Sequence, residues 1–411
     1  MKVLVVSQYY PPEPVPLPAS VAGGLRARGH DVRVLAGVPN YPEGRVYPGA
    51  APRGEVRDVD GVPVRTVPLV TSHSRNPLTR ALNYVSFGLS ARRAGDWAAE
   101  ADVVYVYAPQ LTAAIGPAAW CRRHGLPYVL HVQDLWPDSI TGSGMLGARV
   151  GDAVAGALGP WIRSVYARAA AVLAIAPTMS RVLVERGVPA DRVVTVPNWD
   201  PAEPGSGRAA PPDRPDGGTT VTFAGNVGEL QDLETTIAAA ARLRDEVPGL
   251  VVEIVGSGTA VPRLRALADE LGAANVRFVG RVPRDEMDAV YARSDFQLVT
   301  LKDLPVFRAT IPSKLPAALA RGIPVISSVA GDAGGVVRDG DAGLVTAPGD
   351  VEGMADALRA AARSTQEQRA SWGHAARRTY DASMSQAVGI DTIESALRRA
   401  ARPGRGKEPT P

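Results

Sequence analysis

Short, continuous apolar runs alternate with longer amphipathic stretches from one end of the chain to the other. In the first half the runs fall at residues 2–7, 31–36, 102–107, 127–132, 171–176 and 193–196. In the second they fall at 220–224, 251–255, 276–279, 296–301, 323–326 and 343–346. Runs of this length without polar alternation describe strands covered on both faces, as in a parallel sheet. Between them, the apolar spacing predicts helices at 19–28, 78–97, 115–124 and 150–170, then at 233–246, 261–271, 285–293 and 351–362. Two more helical stretches close the chain, and 56–68 reads as a hairpin turning at Asp60-Gly61. The repeated rhythm predicts an α/β protein of two doubly wound parallel-sheet (Rossmann-like) domains facing a central cleft. Ligands then bind beyond the carboxyl ends of the strands.

Residues 198–219 have the Pro/Gly-rich composition of a linker. The domains are therefore placed at 1–197 and 220–380, with a helix at 381–401 packing back on the first and a disordered tail at 402–411. A chain of 411 residues is too long for one ordinary core, which agrees with two. A net charge of only +3 gives no nucleic-acid-binding stripe. The sequence pI of about 9.0 fits weak attraction to an anionic surface. The lone Cys121 leaves no internal disulfide and fits a reducing compartment. No run approaches the roughly 18 apolar residues that span a bilayer. The N-terminal run is read as a first strand, not a signal peptide, so a cytoplasmic protein is expected.

Chemistry concentrates at 296–328, where a strand, a charged loop and Pro312-Ser313-Lys314 lead into a short helix ended by Gly322. Ser313 is expected to cap that helix. Its first turn, with the charge of Lys314, suits a phosphate; a capped core helix with a surface lysine is the alternative. Gly225-Asn226-Val227-Gly228 and Gly256-Ser257-Gly258 each follow a strand, where glycine lets backbone or ligand approach closely. Val261 stands where a dinucleotide fingerprint needs its third glycine, so a dehydrogenase is rejected. The five histidines show no metal-ligand spacing. Asp58-Val59-Asp60 and Asp339-Gly340-Asp341 read as turns, and no nucleophile elbow occurs. No metal and no cofactor is expected, and the chemistry is left to positioning and electrostatics. The loop at 8–18 holds five prolines and one acid, Glu13, and the loop at 37–51 is long and rich in turn residues.

Eight strings then resemble, in order, the retaining glycosyltransferases of family four, which have the GT-B fold. They are Tyr9-Tyr10-Pro11-Pro12-Glu13, Arg28-Gly29-His30-Asp31-Val32, Pro39-Asn40-Tyr41-Pro42-Glu43-Gly44 and Leu82-Asn83-Tyr84-Val85-Ser86-Phe87. Val132 to Ser139, Val196-Pro197-Asn198-Trp199, Gly225-Asn226-Val227-Gly228 with Gln231, and Pro312-Ser313-Lys314-Leu315 complete the set. The similarity is to the WbuB-like branch, which builds bacterial surface polysaccharides.

That resemblance implies a nucleotide-diphosphate-sugar co-substrate, UDP-linked, held by the second domain. Ser313, Lys314 and Leu315 would take the diphosphate, Gly225 to Gly228 would lie close to it with Gly256 and Gly258, and Arg281 would lie by the base. The family's arginine and lysine for the diphosphate fall at Asn226 and Gln231, and its two glutamates at Ala309 and Ala317. Lys302, Arg308 and Lys314 are then the candidates for the missing charge. In the first domain Glu13 would hold or deprotonate the acceptor, unless it is a solvated loop acid. Gln133 would touch donor-sugar hydroxyls, with Asp134 either beside it or capping a helix. His131 is read as a core histidine. Asn40, Tyr41 and the ring of Trp136 would face the acceptor, a glycan, polyprenyl-diphosphate-linked sugar or small molecule. Helices 78–97 and 145–166, with Arg80, Arg92, Arg93, Arg149, Arg163, Trp97 and Trp161, would suit the inner face of a membrane. The alternatives are a UDP-sugar 2-epimerase on the same fold and a non-catalytic glycosyltransferase-like partner subunit.

Overall fold

The computed structural model describes residues 1–72, 77–138, 148–201 and 218–401. Most of the expected linker and all of the expected tail lie outside them. The chain divides into one unit of Met1–Pro197 with the segment from Gly389 onward, and a second of Asn198–Val388.

Among the described residues the first unit holds an eight-stranded sheet, built from β1 (Lys2–Ser7), β2 (Asp31–Gly37), β3 (Val56–Val59), β4 (Val62–Val67), β5 (Val103–Ala108), β6 (Tyr128–Val132), β7 (Ala171–Ala174) and β8 (Val193–Thr195). Their order is β3-β4-β2-β1-β5-β6-β7-β8. Only β3 runs antiparallel to its neighbour, as the hairpin partner of β4. Asp60 and Gly61 turn that hairpin with φ of 53° and 76°, and the Asp58 carboxylate accepts the Gly61 N–H at 2.7 Å. The acid-x-acid pattern there serves a turn.

The second unit holds a six-stranded, wholly parallel sheet of β9 (Thr219–Ala224), β10 (Leu250–Val255), β11 (Val276–Gly280), β12 (Phe296–Thr300), β13 (Val325–Ser328) and β14 (Gly343–Val345). Its order is β11-β10-β9-β12-β13-β14. Val221, Phe223, Ile254, Phe296, Leu298 and Ile326 of the strands bury against Ile237, Leu243, Leu264, Met354 and Leu358 of the covering helices. Each unit is a doubly wound α/β domain. Chain direction across the sheet reverses between β1 and β5 in one and between β9 and β12 in the other. Ligand crevices form at such reversals.

Two elements differ from the sequence pattern. The helix expected at 78–97 stops at Arg92 and a separate turn runs Gly95–Ala99. The Trp120 indole N–H takes the Arg92 carbonyl at 3.1 Å, and the final N–H groups of Arg93 and Ala94 bond three residues back. An unexpected helix covers Asp332–Asp339 despite Gly334 and Gly335. A Cβ at Gly334 would stand 2.5 Å from the Val329 carbonyl oxygen, so packing excludes a better helix former there.

Candidate active site

The loops after β9, β10, β11 and β12 are knitted together along the carboxyl edge of the second sheet. Gly225 N–H donates to Val255 O at 2.9 Å, Val227 N–H to Ser257 O at 2.9 Å, and Gly256 N–H to Gly280 O at 2.7 Å. Lys302 N–H donates to Leu230 O at 3.1 Å, and the Thr300 hydroxyl to Gln231 O at 2.5 Å. A Cβ on Gly256 would lie 1.8 Å from Gly225 O, and one on Gly258 would lie 2.1 Å from Val227 O. Of the two readings open for these glycines, close approach of backbone or of a ligand, the structure shows the first: the neighbouring loop lies directly against them.

Lys314 reaches this edge from the helix Lys314–Ala320. Its ammonium lies 4.7 Å from the centre of the Phe223 ring and donates to Gln231 Oε1 at 2.8 Å. Gly225, at φ 143°, leaves room for it, since a Cβ there would stand 2.9 Å from Lys314 Cε. Burial lowers the Lys314 pKa from 10.5 to about 8. Among the described residues no carboxylate forms an ion pair with it. Gln231 is followed by Asp232, in the left-handed region at φ 51°, whose carboxylate accepts the Gly349 N–H at 3.0 Å.

The other residues expected at this edge fare differently. Ser313 does not cap with its side chain; its backbone is already helical at φ −57° and ψ −20°. Leu315 is a fully buried core residue, and its N–H is taken by Pro312 O at 2.9 Å. Arg308 makes a two-pronged contact with Asp303 at 3.1 and 2.9 Å, and Lys302 faces Glu234 at 3.6 Å. Both cations are thus already matched by acids, which leaves Lys314 as the charge without one. Asn226 and Arg281 are exposed on the loops after β9 and β11. Ala309 is buried at 3% exposure.

In the first unit, the expected acceptor-side residues are gathered by a carboxylate. Glu13 is 4% exposed and accepts from the N–H groups of Asn40 and Tyr41, each at 2.8 Å, and of Tyr10 at 3.1 Å. Burial raises its pKa although these three donors pull it down. Glu13 is neither solvated nor open to an acceptor: it ties the loop after β1 to the loop after β2. Asn40 is also buried and donates its side-chain N–H to Val38 O at 3.0 Å. Tyr41 stays 45% exposed, its ring 5.3 Å from that of Tyr9.

After β6, Gln133 is buried and Asp134 exposed. Trp136 is only 8% exposed, so its ring cannot stack on a sugar. Asp138 instead pairs with Arg186 at 2.7 Å. His131 is fully buried, with Nδ1 2.6 Å from the Tyr105 hydroxyl, and burial lowers its pKa to about 4, partly offset by the Val196 backbone. Sequence reasoning missed a buried amide chain at the reversal between β1 and β5. Gln8 donates to Asn83 Oδ1 at 2.7 Å and accepts from Gln110. A polar residue closing an otherwise apolar strand run was the available signal. It missed Phe223 and Asp232 for want of any local signal.

Two doubly wound parallel-sheet domains in one chain are the architecture of the GT-B glycosyltransferases, and comparison with known proteins agrees. Residues 18–199 match the family described as glycosyl transferase 4-like domain, and residues 209–379 match glycosyl transferases group 1. The chain is 31% identical over 340 residues to the putative colanic acid biosynthesis glycosyl transferase WcaI of Escherichia coli K12, covering 78% of this chain and 82% of that one. It is 32% identical over 195 residues to the D-inositol 3-phosphate glycosyltransferase of a Nocardioides species, or 41% of this chain and 42% of that one. The chain belongs to the GT-B glycosyltransferases that join a 4-like domain to a group 1 domain. Its fold is similar to that of Anabaena HepE solved with UDP, with a TM-score of 0.69 at 16% identity over 97% of this chain and 100% of that one. It is also similar to that of sucrose-phosphate synthase of Thermosynechococcus elongatus, with a TM-score of 0.71 at 16% identity over 97% and 98%.

Proposed function

We propose that the protein moves a sugar from a UDP-linked donor to a glycan or polyprenyl-diphosphate-linked acceptor, with retention at the anomeric carbon and without a metal. The observation that carries this reading is Lys314: an ammonium held against Phe223 and Gly225 on the β9/β12 edge, with no carboxylate partner among the described residues. A half-buried cation in that state is costly, and an anion at the loop cluster would offset the cost. Since Gln231 Oε1 accepts from Lys314, its amide N–H₂ edge is the group left to donate to a phosphate oxygen. Asn226 and the backbone from Gly225 to Gly228 border the same space, with Arg281 on the neighbouring loop for the base.

On this reading the departing diphosphate takes the acceptor's proton on the face it leaves. Lys314 and Gln231 stabilise the charge that grows on it. Gln133, Asp134 and Tyr41 hold hydroxyls of the sugars in reach. The printed names of relatives are consistent with this substrate class: WcaI is named for colanic acid biosynthesis, and HepE has been solved with UDP-glucose. Membership of the WbuB-like branch, and action at the cytoplasmic face of the membrane, belong to the same proposal.

Thermal unfolding with UDP and a panel of nucleotide sugars tests it, because a ligand at 100 times Kd adds about 2.7 kcal/mol. UDP and one UDP-sugar should raise Tm, and the Lys314→Met variant should not respond. NMR of the product should show the donor's anomeric configuration. A chain that no nucleotide sugar stabilises is not the transferase described here, and the non-catalytic partner reading would replace it.

A further inference from the structure

Three amide side chains stand in a row beyond the carboxyl ends of β1 and β5, the strands that flank the reversal in the first sheet. Gln8, Gln110 and Asn83 are 0%, 2% and 5% exposed. Their polarity is fixed from one end. Asn83 Nδ2 lies 2.7 Å from the carbonyl oxygen of Val70, an atom that can only accept. Asn83 Oδ1 is therefore turned the other way, where it accepts from Gln8 Nε2 at 2.7 Å. Gln8 Oε1 in turn accepts from Gln110 Nε2. Val70 is held by the same helix as Asn83, since its N–H donates to Ser86 Oγ at 2.9 Å. An amide's oxygen and nitrogen are told apart by the bonds around them, and here those bonds admit one arrangement. The row ends on Gln110 Oε1. Among the described residues nothing donates to that oxygen, yet it is not sealed off and keeps access to the crevice.

A tie that only fastened the helix Pro77–Arg92 to the sheet would be complete with Gln8 and Asn83. The third amide leaves an oriented carbonyl at a place where ligands bind, and such a carbonyl needs a donor from outside the fold. With Glu13 committed to its loops, the crevice needs another group to hold a hydroxyl. We propose that Gln110 Oε1 accepts from a hydroxyl of the acceptor, with Gln8 and Asn83 as positioning residues that keep the oxygen turned outward. A carbonyl oxygen takes an O–H or N–H and turns away the oxygens of phosphates and carboxylates. The group it selects is thus an uncharged hydroxyl. Gln110 has no titrating proton, so it orients the hydroxyl and leaves the proton to the departing diphosphate. That the hydroxyl belongs to an acceptor sugar rests on the transferase reading above. That a hydrogen-bond donor belongs there rests on the amide row alone.

The full chain, with UDP present, is titrated with the methyl glycosides of glucose, galactose, mannose and N-acetylglucosamine, read by saturation-transfer NMR. At least one should bind, and its monodeoxy analogues are then compared. One of these should bind about tenfold more weakly, as expected for one lost hydrogen bond. The matching deoxyfluoro analogue, which cannot donate, should be equally weak. Gln110→Leu should bind the full glycoside more weakly by the same factor and lose nothing further with that deoxy analogue. Asn83→Leu, which touches no ligand, should narrow the gap between hydroxyl and fluorine by unlocking the row. A merely structural role would lower Tm and move neither comparison. Where Gln110→Leu fails to fold, Gln110→Ala completes the same cycle, and the fluorine comparison on the unaltered protein can still overturn the proposal. It is overturned if no glycoside binds, if no single deoxygenation matters, if fluorine replaces the hydroxyl without loss, or if every deoxy penalty persists in the Gln110 variant. The rise in Tm with UDP should be the same in each variant as in the unaltered protein. Its absence from the unaltered protein would count against the transferase reading instead.

Discussion

Replacing Lys314 by methionine is expected to stabilise the ligand-free protein while removing its response to a nucleotide. Burial lowers the lysine pKa from 10.5 to about 8. That displacement corresponds to roughly 3 kcal/mol, the native-state cost of holding the ammonium charged at neutral pH. The folded value lies below the unfolded one, so between about pH 8 and 10.5 the unfolded chain binds more protons. This lysine's contribution to stability therefore rises as pH climbs through that window. The contact with Phe223 and the bond to Gln231 are lost in the variant. A net gain of about 1–2 kcal/mol at pH 7 is expected, shrinking toward pH 10.5. A bound pyrophosphate would return the lysine to its ordinary value. At pH 9 only about a tenth of the free protein carries the charge, so UDP should bind ~10-fold more weakly at pH 9 than at pH 7. Titration calorimetry in two buffers of different ionisation enthalpy should find nearly one proton taken up per UDP at pH 9. Urea unfolding measures the first effect and calorimetry the second. A Lys314→Met protein that is less stable at pH 7 and binds UDP unchanged would refute the reasoning.

Gly225→Ala should weaken UDP binding by displacing Lys314, whereas Gly256→Ala, with its Cβ 1.8 Å from Gly225 O, should cost about 2–4 kcal/mol in urea unfolding. Glu13→Ala should destabilise by about 2–4 kcal/mol, because three buried N–H groups lose their acceptor; a large loss of kcat at unchanged stability would instead restore Glu13 as an acid or base. Glu394, on the helix Gln386–Ala400, is held at a pKa of about 2, first by Arg28 and then by Arg398 and His30. A depressed carboxylate contributes stability above its ordinary value of 4.5 and loses it as pH falls toward about 2. Glu394→Gln should therefore lower stability by about 1–2 kcal/mol at pH 7, less than the pKa alone implies because the arginines are partly solvated. The difference should fade by pH 2–3, as read by fluorescence-monitored unfolding.

Strands were the most legible feature because a parallel sheet covers both faces of each strand, so every one is written as a local apolar run. Lys314 was legible as well, since Pro-Ser-Lys before an apolar helix is a contiguous signal. The partners that give it meaning were not: Gln231 stands 83 residues away in sequence, and Phe223 lies further still. Trp136 shows the opposite error. A tryptophan between two aspartates reads as an exposed platform, yet the ring is buried and the second aspartate pairs with Arg186.

By itself the sequence determined the alternation of strand and helix, the two domains and the glycosyltransferase family, because these rest on periodicity and on contiguous strings. Tertiary structure alone decided which charges are free to meet a ligand. Arg308, Lys302 and Lys314 are equal cations as letters, but two face carboxylates and the third is packed against a phenyl ring. It decided likewise that Glu13 is a loop tie, since two of its three donors, Asn40 and Tyr41, come from the loop after a different strand. The physical reason is the same in each case: secondary structure follows from neighbours along the chain, whereas the free energy of a charge is set by whatever the fold places within a few ångströms of it.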